Sequence, residues 1–368
     1  MSGPAAVVEI VRRPRAVKPV GVGRDWPRRR AQTSWLQGST LLRTYAERVL
    51  VHLRLTVPES LTEESLAVLR ERGCTTNLTL QRGACLDPAG DLVEADVARE
   101  EFNVVLEGLH RIGVGHEGGI VVTTPTATPF ETAEHIERRA PGDPEDAVIW
   151  DSVRAKATAG ARPTVSYLLF MVMAVTLAAI AVVLDSAVLV VGAMVTGPEY
   201  SAVGAVAVGL AFAQWGLVGR ALQLLAGGFV FAIAVVTVFA LLARVTGLVT
   251  LDMVTASRPE TGFIWHPDVW SFIVAFVAGA AGALALAIDK ASAMVGVFIS
   301  VTTIPAAGNL ALGLAFWTRH EIVGSAAQLV LNLGCMIVAG LLVLGYQRLF
   351  WTRTLALSDR FFHQGGSA

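Results

Sequence analysis

Between Pro163 and Leu349 the chain runs in long apolar stretches with few charges, whereas residues 1–162 alternate apolar and polar positions at short intervals. A helix needs about 20 residues to cross a hydrocarbon core. Six windows meet that length: 164–184, 187–212, 222–243, 269–288, 292–316 and 325–347. The second and fifth exceed a simple crossing, and each is interrupted near its middle, by Gly197-Pro198-Glu199 and by Ile304-Pro305. Proline removes a helical hydrogen bond and clashes with the preceding turn, so both windows predict broken helices.

Before these windows the periodicity is that of a small soluble domain. Strand patterns at 49–57, 75–82, 91–98 and 119–124 alternate with helical patterns at 61–72 and 99–112. The order βαββαβ predicts a ferredoxin-like arrangement. Thr62, Glu63 and Glu64 open the first helix and Gly73 closes it, while Asp87-Pro88-Ala89-Gly90-Asp91 reads as a turn between strands. A polar helix over 131–139 and an amphipathic one over 145–158 follow, separated by Pro141-Gly142-Asp143-Pro144. The amphipathic helix is expected along the membrane surface, with Trp150 at headgroup level. The expected division is a basic disordered tail (1–46), a ferredoxin-like cytoplasmic domain (47–127), a linker (128–162), six transmembrane helices (163–350) and a C-terminal tail (351–368).

The membrane half is written twice. Asp185 to Phe212 aligns without a gap on Asp289 to Phe316, an offset of 104 residues, with 11 of 28 positions identical. Each copy has three crossings, an odd number, so the second must enter from the opposite face. Two inverted three-helix repeats are a transporter-like architecture.

Composition supports this division. At 54% hydrophobic residues the chain exceeds the 45–50% or so of soluble domains. The net charge of −1 is uninformative, but Arg154, Lys156, Arg162, Arg220, Lys290, Arg348 and Arg353 fall on one side of the spans and Arg244, Arg258 and Arg319 on the other. With the positive-inside rule and no apolar segment after Met1, both termini are expected in the cytoplasm of a multi-pass protein of the cell membrane. The eight Lys/Arg of the first thirty residues read as a solvated arm, with no nucleic-acid role. Cys74, Cys85 and Cys335 show no metal-ligand spacing, and no hydrolase, Walker or H-E-x-x-H sequence occurs. No enzyme activity, metal or cofactor is expected.

Glu199 is the one acidic side chain well inside a window, at a cost of roughly 2.5–3.5 kcal/mol on insertion scales, and so is a candidate ion- or substrate-binding group. Capping a half-helix, or reaching a water-filled vestibule without binding anything, is the alternative. At the equivalent place in the second copy, Thr302, Thr303 and Asn309 are candidates to face it, although hydroxyls in membrane helices also bond their own preceding turn. Gly197, Pro198 and Pro305 mark the breaks. Gly192 with Thr196, Gly296 with Ser300, and Gly282 are assigned to close helix packing, and Asn332 to an interhelical hydrogen bond. Asp185 and Asp289 are read as helix caps, and Gly113 to Gly118 as a turn.

Asp185-Ser186-Ala187-Val188-Leu189-Val190-Val191-Gly192-Ala193-Met194 followed by Pro198, and Val295-Gly296-Val297 followed by Pro305, resemble the bacterial and archaeal "uncharacterised hydrophobic" family, numbered 389 among the domains of unknown function. The resemblance spans roughly residues 145–350. It implies a multi-pass membrane protein with a cytoplasmic N-terminal domain and supplies no substrate. Glu199 and the single Pro305 depart from the form associated with the family, in which a small or aliphatic residue follows the first proline and a double proline is common in the fifth span. The expected function is a secondary permease or channel-like carrier of a small solute or ion, with the cytoplasmic domain in a regulatory role. The alternative is a membrane-anchored sensor or scaffold. The expected partners are the bilayer, a small-molecule or ion substrate and further copies of the chain.

Overall fold

The computed structural model describes residues 50–125, 127–140, 147–266, 268–288 and 302–362, the last thirteen of these in backbone only. The N-terminal part is a four-stranded antiparallel sheet in the order β2-β3-β1-β4, built from β1 (Val51–Val57), β2 (Thr75–Leu86), β3 (Ala89–Val97) and β4 (Gly119–Thr123). Strict alternation sends Val51, Leu53, Leu55 and Val57 of β1 inward with Val93, Ala95 and Val97 of β3. Against that face lie α1 (Thr62–Glu71) through Leu66 and Leu69, and α2 (Phe102–Arg111) through Phe102, Val105, Leu106 and Leu109. Asp91, buried at the start of this face, accepts hydrogen bonds from the Gly83 N–H and the Thr62 hydroxyl, both 2.8 Å. These bonds, the backbone one foremost, hold its carboxyl below the usual range. The loop Gly113–Gly118, expected as a turn, closes into a one-turn helix, α3 (Val114–Glu117).

After α4 (Glu131–Arg139), the linker helix α5 runs over Trp150–Gly160, later than the expected 145–158. It packs on the bundle through Val153 and Ala157, and Trp150 sets its ring edge-to-face on Phe212, 5.4 Å between centroids. The bundle itself comprises α6 (Val165–Val183), the pair α7 (Ala187–Thr196) and α8 (Glu199–Ala211), α9 (Trp215–Val245), the short α10 (Leu251–Thr255), α11 (Val269–Ala287), α12 (Thr303–Phe316) and α13 (Arg319–Phe362). Four of these, α6, α9, α11 and Arg319–Leu349 of α13, are long and apolar enough to cross a membrane. The pair α7–α8, bent by 54° at its break, makes a fifth if taken as one span. The outward faces carry bare apolar side chains such as Phe170, Val230, Phe239, Ile273 and Val277, as suits a lipid surroundings.

Two expectations change. The fifth window, 292–316, is described only as the 14 residues of α12, too short to cross alone, and its first part lies outside the described residues. Pro305 does not interrupt the described helix. It sits in the first turn of α12, where its missing N–H costs no intrahelical bond. Asp185 is not a cap either: Ser186 caps α7, and Asp185, in a left-handed conformation, accepts from the Thr261 N–H and hydroxyl at 2.9 and 2.8 Å. Asp289 lies outside the described residues.

The interval of 104 residues recurs in the helices. α6 begins at 165 and α11 at 269; α8 begins at 199 and α12 at 303; α9 begins at 215 and α13 at 319. The side chains of Thr164 and Asp268, also 104 apart, cap α6 and α11. Ala213 and Trp317 are both left-handed, at φ 53° and 61°. Arg244 donates to the carbonyl of Ala315 and stacks over Phe316, while Arg348, 104 positions on, donates to the carbonyl of Ala211 and stacks over Phe212.

Small residues let these helices touch. A Cβ on Gly308 would come within 2.7 Å of Ala178 Cβ and of the Ala179 backbone nitrogen. The ring of Tyr200 lies directly against Gly282. Gly308→Val should therefore lower stability by about 1–3 kcal/mol. Gly227→Ala, whose new methyl would meet nothing from other segments of the described residues within 4 Å, should leave stability unchanged or raise it by up to about 1 kcal/mol. Thermal unfolding of detergent-purified protein compares the two.

Candidate functional site

The site starts from the break between α7 and α8. Thr196 ends α7 by returning its hydroxyl to the carbonyl of Gly192 at 2.8 Å, Gly197 is extended, and Pro198 has no N–H to continue the helix. Glu199 is therefore the first residue of α8, at a helix N-terminus where the unpaired N–H groups favour negative charge. Its side chain is 6% exposed. It folds back against Gly197, where any Cβ would meet Glu199 Oε2 and Ile304.

The second helix start comes from the other copy. Thr303, fully buried, is the first residue of α12 and donates its hydroxyl to Glu199 Oε1 at 2.8 Å. Residues 199 and 303 are aligned positions in the two copies, so equivalent residues touch each other. Thr302 turns the other way: its Oγ1 accepts from Gln328 Nε2 at 3.1 Å and from Asn332 Nδ2 at 2.8 Å. Asn332 thus makes a bond from α13 to the head of α12, in agreement with an interhelical role.

Asn309 does not reach Glu199. Its Oδ1 accepts from Arg258 Nη1 at 2.8 Å and its Nδ2 donates to Ser325 Oγ at 2.8 Å. Arg258 pairs in turn with Glu321, the two side chains being 5% and 9% exposed. The candidates therefore divide into a carboxylate–hydroxyl pair, Glu199 with Thr303, and a longer run of buried polar groups on α13: Glu321, Ser325, Gln328 and Asn332. Sequence reasoning missed Arg258, Glu321, Ser325 and Gln328. Their signal was present in the spacing 321, 325, 328, 332, which places them on one helical face.

Gly192 and Gly282 have different surroundings. Among the described residues nothing lies within 4 Å of a Gly192 Cβ, and Thr196 bonds only its own helix, whereas Gly282 is covered by Tyr200. Gly296 and Ser300 lie outside the described residues.

Chemically, the arrangement offers oxygen acceptors. Among the described residues Glu199 Oε2, Gln328 Oε1, Asn332 Oδ1 and Glu321 Oε2 are buried without a hydrogen-bond partner. A buried acceptor left empty costs about 1–3 kcal/mol, so these atoms are suited to a proton, a cation or a donor group arriving from outside. No group of three or more His, Cys, Asp or Glu among the described residues has the geometry to hold a metal.

The pairing makes its own prediction. Thr303→Val, which removes the hydroxyl that donates to the carboxylate, should destabilise the protein by roughly 1–3 kcal/mol, while Glu199→Gln, which keeps an acceptor and removes the charge, should not. In a Glu199→Leu background, which has no acceptor to leave unpaired, the cost of the valine should largely vanish, as read by a double-mutant cycle of melting curves.

No curated protein and no solved structure matches the chain. Residues 194–338 match the family described as Domain of unknown function (DUF389). That stretch is shorter at both ends than the resemblance drawn from the sequence, and it contains Glu199, Arg258, Thr302, Thr303, Asn309, Glu321, Gln328 and Asn332. Over these residues, the chain carries a domain of the DUF389 family.

Proposed function

We propose that the protein is a secondary permease or channel-like carrier of a small solute or ion in the cell membrane, acting without catalysis. Its membrane part is read as six spans in two inverted repeats, preceded by a ferredoxin-like cytoplasmic domain. The single observation that carries the reading is the buried bond between Glu199 and Thr303, equivalent residues of the two copies that meet at two helix starts. Paired helix breaks at a repeat interface are where secondary carriers bind substrate and coupling ions.

The reciprocal arginines support the inversion. Ala211 lies just before α9 begins and is held by Arg348, whereas Ala315 is held by Arg244 at the far end of α9. A helix of 31 residues is about 46 Å long, so equivalent carbonyls sit at opposite ends of it. The strand order β2-β3-β1-β4, with a helix after β1 and another after β3, supports the ferredoxin-like reading, and a regulatory role for that domain rests on fold analogy. The positive-inside pattern supports cytoplasmic termini.

Two measurements test the reading. Protein reconstituted in liposomes should carry a solute or ion flux, and Glu199→Gln should change its rate or its ion dependence by tenfold or more at equal protein content. Absence of flux under every gradient, together with metabolite binding by the sheet domain, would favour a sensor. For the topology, Ser186→Cys should react with an impermeant maleimide added outside intact cells and Lys290→Cys should not; equal reactivity would refute the inversion.

A further inference from the structure

A cavity of about 560 Å³ opens where the loop between α9 and α11 meets the start of α13. Its wall includes Arg258, Trp265, His266, Arg319, His320 and Glu321. The volume lies within the range of about 300–1,000 Å³ usual for small-molecule sites. The loop is pinned from two sides: Asp185 accepts from the backbone of Glu260 and Thr261, and the Trp265 carbonyl lies directly on Gly324 of α13. The cavity is therefore built by fixed contacts.

Donor groups outnumber acceptors in its lining, where, among the described residues, Glu321 Oε2 is an unpartnered carboxylate oxygen beside the Arg258 guanidinium. Two arginines face one carboxylate, a fixed charge of +2 − 1 = +1 before either histidine takes a proton. The carboxylate, Glu321, is already paired with Arg258 in the floor, and Arg258 is anchored below by Asn309. Arg319, at the rim, forms no ion pair among the described residues. Among the described residues, the Trp265 indole nitrogen, which can only donate, is buried without an acceptor, and the Thr318 hydroxyl is likewise unpartnered. The indole ring lies tilted by 36° against His266, 3.7 Å between centroids, and meets His320 edge-on at 4.9 Å, giving the bowl an aromatic side.

We propose that this cavity binds a small oxyanion, a carboxylate or a phosphate, through Trp265 Nε1, Thr318 Oγ1 and the Arg319 guanidinium, with Arg258 supplying positive charge from the floor. Unfilled buried donors and net positive charge favour an acceptor-rich ligand, and a cation would meet two guanidinium groups. The floor is also the head of the buried polar run on α13, so on the carrier reading the cavity is an outer substrate station. That role rests on the carrier reading; the binding does not.

The test is isothermal titration of the full chain in nanodiscs of phosphatidylcholine with benzoate, inorganic phosphate and benzylammonium. Benzoate or phosphate should bind saturably and benzylammonium should not. Arg319→Ala, at an exposed position, and Trp265→Phe, which keeps a ring and removes the N–H, should each weaken binding at least tenfold while melting curves confirm the fold. If the anion comes from a lipid headgroup, nanodiscs containing phosphatidylglycerol should weaken binding of free anion tenfold or more; the oxyanion site then stands with a lipid as its source. No saturable anion binding in phosphatidylcholine, or binding unchanged in both variants, would overturn the proposal. Binding without flux would refute carriage and leave the site intact, whereas flux without binding would do the reverse.

Discussion

Two helices begin inside the bundle rather than at its surface, and the chain has to satisfy their free N–H groups and the carboxylate beside them without bulk water. Glu199 and Thr303 meet this in part, each as the first residue of its helix, with one hydrogen bond that satisfies Oε1 of the carboxylate. The bend of 54° at Gly197-Pro198 follows from the same constraint, because a continuous helix would leave no start for the carboxylate to occupy. Gly197 completes it by leaving room for the second carboxylate oxygen. Close contacts such as Tyr200 on Gly282 and Gly308 on Ala178 then hold the neighbouring helices near enough to exclude solvent from the pair.

Beside this pair, α13 carries polar groups where an apolar helix would be cheaper to bury. Ser325, Gln328 and Asn332 are almost wholly buried, and Arg258 and Glu321 form an ion pair with little access to water. A buried ion pair is weak evidence of stability, since the desolvation of both charges offsets their attraction. Its bonds to Asn309, and through it to Ser325, tie the loop between α9 and α11 to two helices at once. The ion pair is better understood as a device for fixing that loop than as a source of folding energy.

Much of this frame was legible in the sequence, because its signals are local. Alternation in β1, the turn at Asp87-Pro88 and the helix break at Pro198 each involve residues within a few positions of one another. The interval of 104 residues also pointed from Glu199 to position 303. What was not legible depends on contacts between distant segments. Arg258 meets Glu321 across 63 residues, and in the sequence it is one more arginine in a loop. Asp185 suggested a cap by its place before α7, yet it spends its lone pairs on Thr261, 76 positions away. Window reading also started the last span at residue 325, which excluded Glu321 from the helix that carries it.

The two arginine contacts at the ends of α9 differ in sequence but hardly in chemistry: each guanidinium holds a carbonyl in the last turn of a helix and covers the phenylalanine that follows it. They act as a latch at each end of one long strut. Releasing one would free the adjacent helix end while the other, still fastened, served as the fulcrum.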